Sequence, residues 1–171
     1  RTPEGYPVLG TLDYFLELSS PSWAVVAIAD TQVRKAITQR LHSHRINVAT
    51  LIHPSVSMSD FVQIGVGSII CAGAVITTNV TLGQASIVNP KCFIGHDTEL
   101  DDFVSLMPST NLAGEVKVGE GSYFGINSCV INRTIIGKWS IIGAGATVIS
   151  DIPDYSVAVG VPARVIKSRN T

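Results

Sequence analysis

Large apolar residues recur every six positions between residues 52 and 148, and this period constrains the fold more than any other feature of the sequence. With 46% of the chain apolar, an unbroken series of seventeen has a chance probability on the order of one in a million. The series consists of Ile52, Met58, Ile64, Ile70, Ile76, Leu82, Val88, Ile94, Leu100, Leu106, Leu112, Val118, Phe124, Val130, Ile136, Ile142 and Val148.

A period of six matches neither an α-helix nor a simple strand, but it matches a parallel β-helix with three short strands per coil. Each coil then has 18 residues, and about five coils make a three-sided prism roughly 25 Å tall. Four places after each large residue stands a small or β-branched one, such as Val56, Cys92 or Ser128, which suits a crowded corner. A β-sandwich would lose this phase at every turn.

The residues before the repeat predict a β-α-β unit. The predicted elements are a short helix over Leu12 to Leu18, a buried strand over Ala24 to Ala29, a helix from an N-cap at Asp30 or Thr31 to about His44, and a strand over Ile46 to Ile52. The longer helix would bury a face formed by Val33, Ile37 and Leu41. Such a unit is half of a nucleotide-binding sheet, so we expect a partial Rossmann-like α/β unit.

The chain therefore divides into three predicted segments: a partial α/β domain over 1–51, a β-helix over 52–152 and a C-terminal cap over 153–171. A solenoid needs a cap over its last open coil, and the third segment is placed to supply one. The predicted class is mainly β.

Composition excludes several functions. A net charge of −1 gives no basic footprint for nucleic acid, and no run of 18 apolar residues predicts a membrane span. The three cysteines, Cys71, Cys92 and Cys129, are an odd number without metal-like spacing, so we expect free thiols and a cytoplasmic protein.

The most informative polar residue within the repeat is His96. It stands outside the two inward positions of its hexad and is followed by Asp97, whose carboxylate would favour the imidazolium form. An imidazole is well suited to accept a proton near neutral pH. His53, the other histidine at the coil, lies 43 residues away, a spacing that puts it on a different face, so we predict no metal site.

Several motifs together resemble one family. They are Asn89, Ile94-Gly95-His96-Asp97, Leu112-Ala113-Gly114-Glu115-Val116, Phe124-Gly125-Ile126-Asn127-Ser128 and Val159-Gly160-Val161-Pro162-Ala163. This arrangement resembles the bacterial nucleotide-amino-sugar acetyltransferases grouped with sialic acid O-acetyltransferases, within the hexapeptide-repeat acyltransferases. The resemblance covers almost the whole chain, and it implies a left-handed parallel β-helix, a homotrimer and acetyl-CoA as co-substrate.

The resemblance implies roles for the residues of the motifs. His96 would be the general base and Asp97 its acidic helper, and Gly114 would closely contact acetyl-CoA. Ile126 and Ala144 would line the cofactor groove between subunits. Many relatives have a second histidine nine residues after the base, in contact with the thioester carbonyl, and Ser105 stands there in this chain.

The same resemblance implies an acceptor site. Ala29 and Asp30 take the place of a Gly-polar pair near the sugar nucleotide, and Asn89 is matched to substrate binding. The implied reaction is direct N-acetylation of a UDP-linked 4-amino-sugar for surface glycan, in the cytoplasm. O-acetylation of sialic acid or another sugar hydroxyl is the first alternative; a γ-type carbonic anhydrase and a non-catalytic scaffold are the others.

Overall fold

The six-residue repeat folds into a parallel β-solenoid. The computed structural model describes residues 5–17 and 23–168. Two-residue strands follow one another around three sheets, and from Leu51 to Val148 each pairs in parallel with the strand 18 residues further on, as Phe93 does with Asn111. The predicted three-sided coil of 18 residues is confirmed over that range. At the C-terminal end the offset shortens to 16 residues, where Ile141 pairs with Val157.

The three sheets run the length of the solenoid. Sheet 1 contains, among the described residues, β3 (Leu51–Ile52), β6 (Ile69–Ile70), β9 (Ile87–Val88), β12 (Ser105–Leu106), β15 (Tyr123–Phe124), β18 (Ile141–Ile142), β20 (Ser156–Val159) and β21 (Arg164–Ser168). Sheet 2 contains β4 (Ser57–Met58), β7 (Val75–Ile76), β10 (Phe93–Ile94), β13 (Asn111–Leu112), β16 (Cys129–Val130) and β19 (Thr147–Val148). Sheet 3 contains β5 (Gln63–Ile64), β8 (Thr81–Leu82), β11 (Glu99–Leu100), β14 (Lys117–Val118) and β17 (Ile135–Ile136).

The large residue of each hexad is the second residue of its strand and points into the prism. Ile94, Leu112 and Phe124 are fully buried in one continuous core. Ile52 and Met58 are exposed instead, because they belong to the first coil and lie at the open end of the stack. The inward pattern thus holds along the solenoid, and full burial requires a coil on both sides.

A regular turn joins the sheets. In every hexad from Ile64 to Ile142 the third residue after the inward one has a positive φ, and Asn79 and Asp97 are two examples. We call the edge between sheets 2 and 3 (residues 59–62, 77–80, 95–98, 113–116, 131–134 and 149–151) the His96 edge. The edge between sheets 1 and 2 (residues 53–56, 71–74, 89–92, 107–110, 125–128 and 143–146) is called the Ile126 edge.

The N-terminal segment contains α1 (Leu12–Leu16), β1 (Trp23–Ala24), α2 (Thr31–Ser43) and β2 (Asn47–Val48), and β1 pairs in parallel with β2. Residue 18, the end of the predicted first helix, lies outside the described residues. The strand predicted over 24–29 was too long, because β1 pairs with β2 over two residues only. The strand predicted over 46–52 is divided, since Leu51 and Ile52 pair with the solenoid instead.

The buried face of α2 matches the predicted one in part, because Leu41 is buried and Ile37 packs in the same apolar cluster. Thr31, Arg34, Thr38 and Leu41 are buried, whereas Val33 is 46% exposed. The reason is that the Arg34 side chain donates hydrogen bonds to backbone carbonyl groups of the solenoid, which turns the side of α2 that carries Arg34, and not Val33, toward the coil. The predicted N-cap is confirmed: Asp30 Oδ1 accepts hydrogen bonds from the backbone N–H groups of Gln32 and Val33.

The C-terminal end continues sheet 1. β20 pairs in parallel with β18, and β21 folds back antiparallel on β20. Ala163, between these last two strands, is buried against the core and donates its N–H to the Thr147 carbonyl. Ala163 thus belongs to the core of the solenoid at this end.

Candidate active site

His96 and Asp97 form a hydrogen-bonded pair at the His96 edge. Their backbone lies in the turn between β10 and β11, and both side chains project into solvent. His96 Nδ1 lies 2.7 Å from Asp97 Oδ2. The positive φ of Asp97 turns its carboxylate back toward the preceding ring.

The environment of Asp97 decides which imidazole nitrogen carries the proton. Hydrogen bonds from His96 and then from Asn79 lower the pKa of the Asp97 carboxyl group. An ionised carboxylate only accepts hydrogen bonds, so Nδ1 of His96 is the donor. In the neutral ring this leaves the lone pair on Nε2, the nitrogen that points away from Asp97.

Gly114 lies one coil above His96 and provides space for its ring. A Cβ on residue 114 would lie 2.5 Å from Nε2 and 2.6 Å from Cε1 of His96, which is closer than real Cβ contacts. The 18-residue register produces this stacking, because both residues take the second place of the turn at the same edge. Any side chain at position 114 would therefore displace the imidazole.

Ile126 and Ala144 lie at the other border of sheet 2. They stack one coil apart at the Ile126 edge, and both are exposed, Ile126 by 56%. Within one protomer the breadth of sheet 2 separates them from His96. The structure thus brings together His96, Asp97 and Gly114, and places the predicted groove residues on a second edge.

Asn89 also lies at the Ile126 edge, where it is half-buried. Its Nδ2 donates a hydrogen bond of 2.9 Å to the carbonyl of Leu106 in the next coil. This bond fixes the amide against the solenoid.

Ser105 stands where many relatives have a second histidine that contacts the thioester carbonyl, but in this structure it does not face an open groove. Its side chain is fully buried beneath α2, and its Oγ accepts a hydrogen bond of 2.9 Å from Arg34 Nη2. The same hydroxyl lies 3.4 Å from the carbonyl of Ala29. A thioester carbonyl could contact Ser105 only after Arg34 had moved away.

Arg34 was missed by the sequence reasoning. Its guanidinium group is fully buried and donates hydrogen bonds to the carbonyl groups of Ala85, Ile28, Ala29 and Phe103 as well as to Ser105. Burial lowers the pKa of Arg34 to about 10, and the nearby Asp30 charge opposes that change. An arginine one position from the apolar face of a predicted helix gave no sign that it would be buried.

Ala29 and Asp30 border a cavity of about 220 Å³ at the start of α2. Thr31, Gln32, Tyr123 and Ile141 complete its lining. The cavity therefore lies between the N-terminal segment and the outer face of sheet 1. Both predicted acceptor residues are exposed, although the carboxylate of Asp30 is engaged in capping α2.

Residues 5–17 and 23–168 contain neither a metal-binding cluster nor a membrane-spanning helix. No group of three His, Cys, Asp or Glu side chains is placed to hold a metal ion. None of the helices in that part of the chain has the length and apolar character needed to cross a membrane.

No family model matches this chain, but known proteins are similar to it over most of its length. GDP-perosamine N-acetyltransferase of Escherichia coli O157:H7 is 31% identical over 173 residues, which cover 98% of this chain and 78% of that protein. PerB from Caulobacter crescentus, solved in complex with CoA and GDP-perosamine, is 35% identical with a TM-score of 0.84 over 85% of this chain and 70% of that one. The acetyltransferase domain of PglB from Neisseria gonorrhoeae, solved with acetyl coenzyme A, is 31% identical with a TM-score of 0.73 over 95% and 80% of the two chains.

Proposed function

This chain belongs to the hexapeptide-repeat sugar N-acetyltransferases, with a solenoid of the left-handed type, and we propose that it acetylates the amino group of a nucleotide-linked amino-sugar. Acetyl-CoA is the co-substrate. Membership of this family sets aside the carbonic anhydrase and scaffold alternatives. The observation that carries the proposal is the His96 ring, whose Nδ1 is held by Asp97 while Nε2 is left to accept a proton.

His96 acts as the general base in this proposal. As the neutral amine attacks the thioester carbonyl carbon, Nε2 takes the proton that the nitrogen loses. A backbone N–H at Gly114 donates to the oxyanion of the tetrahedral intermediate. When that intermediate collapses, the C–S bond breaks and the imidazolium returns its proton to the departing thiolate. Asp97 stabilises the imidazolium throughout.

The thioester site lies between two protomers of a homotrimer. A ligand that contacts both His96 and Ile126 of one protomer would have to span the width of sheet 2. When the His96 edge of one protomer packs against the Ile126 edge of a second copy, His96 and the partner copy's cofactor groove lie side by side. Phe93 on sheet 2 and Ile131 at the His96 edge are exposed apolar residues that such packing would cover. Exposed Ile126 and Ala144 present a smooth apolar strip that fits the pantetheine arm.

The acceptor binds to the N-terminal segment. We assign residues 1–51 to a partial Rossmann-like nucleotide-sugar domain, residues 52–152 to the acyltransferase solenoid and residues 153–171 to a cap. The cavity beside Ala29 and Asp30 supports this assignment, because it lies between the N-terminal segment and sheet 1 and both predicted acceptor residues line it. Asn89, at the Ile126 edge, contacts the acceptor or orients the groove.

The identity of the acceptor can be tested directly. Sequence reasoning favours a UDP-linked 4-amino-sugar, while two of the similar proteins are named for GDP-perosamine or solved with it. Purified protein should be offered acetyl-CoA with UDP-, GDP- and dTDP-linked amino-sugars, and with hydroxyl analogues of each. Free thiol and acetylated product should form with at least one amino-sugar. Product from hydroxyl sugars alone would establish O-acetylation and contradict the proposal.

We also propose that the reaction takes place in the cytoplasm. None of the three cysteines is in a disulfide. A reducing compartment that supplies acetyl-CoA and nucleotide sugars is the cytoplasm, and we place the reaction there.

A further inference from the structure

Asn79 lies directly below Asp97 at the His96 edge. The two residues are 18 positions apart, both take the third place of their turn, and their φ angles are 54° and 57°. Asn79 Nδ2 donates a hydrogen bond of 3.1 Å to Asp97 Oδ1, while Asp97 Oδ2 accepts the bond from His96 Nδ1. Each oxygen of the carboxylate thus has its own donor.

We propose that Asn79 is a positioning residue for the general base. It fixes the rotation of the Asp97 carboxylate so that Oδ2 stays directed at His96 Nδ1. The inference rests on the proposed function, and it extends the catalytic pair by a residue that acts through Asp97 and does not touch the substrate.

Residues at the third place of each turn stack in a column along the His96 edge. The charges in this column explain why a neutral amide suits position 79. The residue above Asp97 in the column is Glu115, whose carboxylate pairs with Arg133 at 3.1 Å. That pairing keeps Arg133, which lies two coils above Asp97, engaged with Glu115. A cation at position 79 would compete with the imidazole for the charge of Asp97, whereas an amide donates one hydrogen bond and leaves that charge to stabilise imidazolium.

The carboxylate needs this second contact because it is exposed. Asp97 is half exposed to solvent, so burial does not restrict its rotation. Without Asn79, water would hydrate Oδ1 and the carboxylate would sample orientations in which Nδ1 is unpaired. The ring would then spend less time in the productive tautomer and orientation.

Replacement of Asn79 by glycine isolates this role. Glycine accepts the positive φ, so Asn79→Gly deletes the amide without backbone strain. We expect kcat to fall about 5- to 20-fold with the KM for acetyl-CoA unchanged. Arg45→Gly is the matched control, because Arg45 also has a positive φ, of 58°, and follows α2 outside the solenoid. It should leave kcat unchanged, and thermal unfolding should confirm that both variants are folded.

A double-mutant cycle with Asp97→Asn decides between positioning and general destabilisation. If Asn79 acts through Asp97, Asn79→Gly costs nothing further in the Asp97→Asn protein. Independent, multiplicative losses, or full activity of the single variant, would overturn the inference and leave the proposed function standing. A wild-type protein that transfers acetyl to none of the acceptors would overturn the proposed function itself.

Discussion

The imidazole of His96 occupies the space that a side chain on Gly114 would need. A Cβ on residue 114 would come within 3 Å of Nε2, Cε1 and Cδ2 of the ring, and those are the three atoms closest to it. The stacking of equivalent turns at 18-residue intervals makes this contact unavoidable. The position of the His96 ring therefore requires a glycine one coil above it.

Gly114→Ala should impair transfer more than it impairs folding. The clashing atoms belong to a solvent-exposed side chain, so the ring can rotate away at a cost of about 1 kcal/mol or less in unfolding free energy. Once rotated, Nε2 no longer faces the thioester site, and kcat should fall at least about 10-fold. Steady-state kinetics and chemical denaturation of the same preparation test both parts.

The double variant His96→Ala/Gly114→Ala is the control for that mechanism. With the ring removed, the alanine at 114 meets no clash, so its effect on unfolding free energy should disappear. A loss of stability that is the same with and without His96 would show that the backbone, and not the ring, requires glycine.

Arg34→Met should destabilise the docking of α2 on the solenoid. The substitution leaves the buried carbonyl acceptors of Ala85 and Phe103 without donors, and we expect a loss of about 3–5 kcal/mol in unfolding free energy. Lys35→Met, the next residue on α2, removes a half-exposed ion pair with Glu120 and should cost about 1 kcal/mol or less. Equal losses in urea denaturation would contradict the anchoring role of Arg34.

Ionisation of the Cys92 thiol should make the free energy of unfolding fall as the pH rises through the alkaline range. Burial raises the pKa of the Cys92 thiol from about 9 to about 11, so the folded protein keeps the proton that the unfolded chain releases. Between pH 9 and 11 the unfolded chain binds fewer protons, and this group should lower the free energy of unfolding by up to about 2–3 kcal/mol.

Cys92→Ala isolates that contribution, because Ala74 and Ala146 already occupy the equivalent inward corner in other coils. Chemical denaturation at intervals from pH 8 to 11 should give a shallower decline for the variant than for the wild type. If the unfolding free energies of the variant and the wild type declined equally with pH, the Cys92 thiol would ionise at the same pH in the folded and the unfolded protein.

Thr38→Val should stabilise the protein. Thr38 is buried, and its Oγ1 has no hydrogen-bond partner, so the folded state carries the cost of desolvating a hydroxyl group. Valine has the same shape, and we expect the free energy of unfolding to rise by about 1 kcal/mol. A decrease in urea midpoint would show that the hydroxyl is bonded, for example to a buried water molecule.

The repeat was predictable because its period of six is enforced at every coil by the same core. Ile94 and Leu112 had to face inward wherever the N-terminal segment lay, and so the prism and the outward direction of His96 followed from spacing alone. The stacking of Asn79 under Asp97 was also implied by the 18-residue interval. Polar turn residues stack at the same interval as core residues and therefore meet one coil apart.

The N-terminal segment was less predictable because its contacts are with the solenoid. Val33 was assigned to the buried face from helical periodicity, yet α2 packs on the solenoid through Arg34, which bonds to backbone carbonyl groups there. Ser105 likewise looked available for substrate until α2 covered it. Both differences have one cause. A sequence does not show which surface another segment will cover, and backbone carbonyl acceptors cannot be recognised from the pattern of side chains.

The turnover of His96→Ala measures the central claim most directly. His53→Ala serves as the matched control, because His53 lies on the Ile126 edge and the hydrogen bonds of its ring are to Ser55. With the best nucleotide amino-sugar and saturating acetyl-CoA, we predict a loss of about 10²–10⁴-fold in kcat for His96→Ala and none for His53→Ala. Wild-type turnover in the His96→Ala protein would contradict the account.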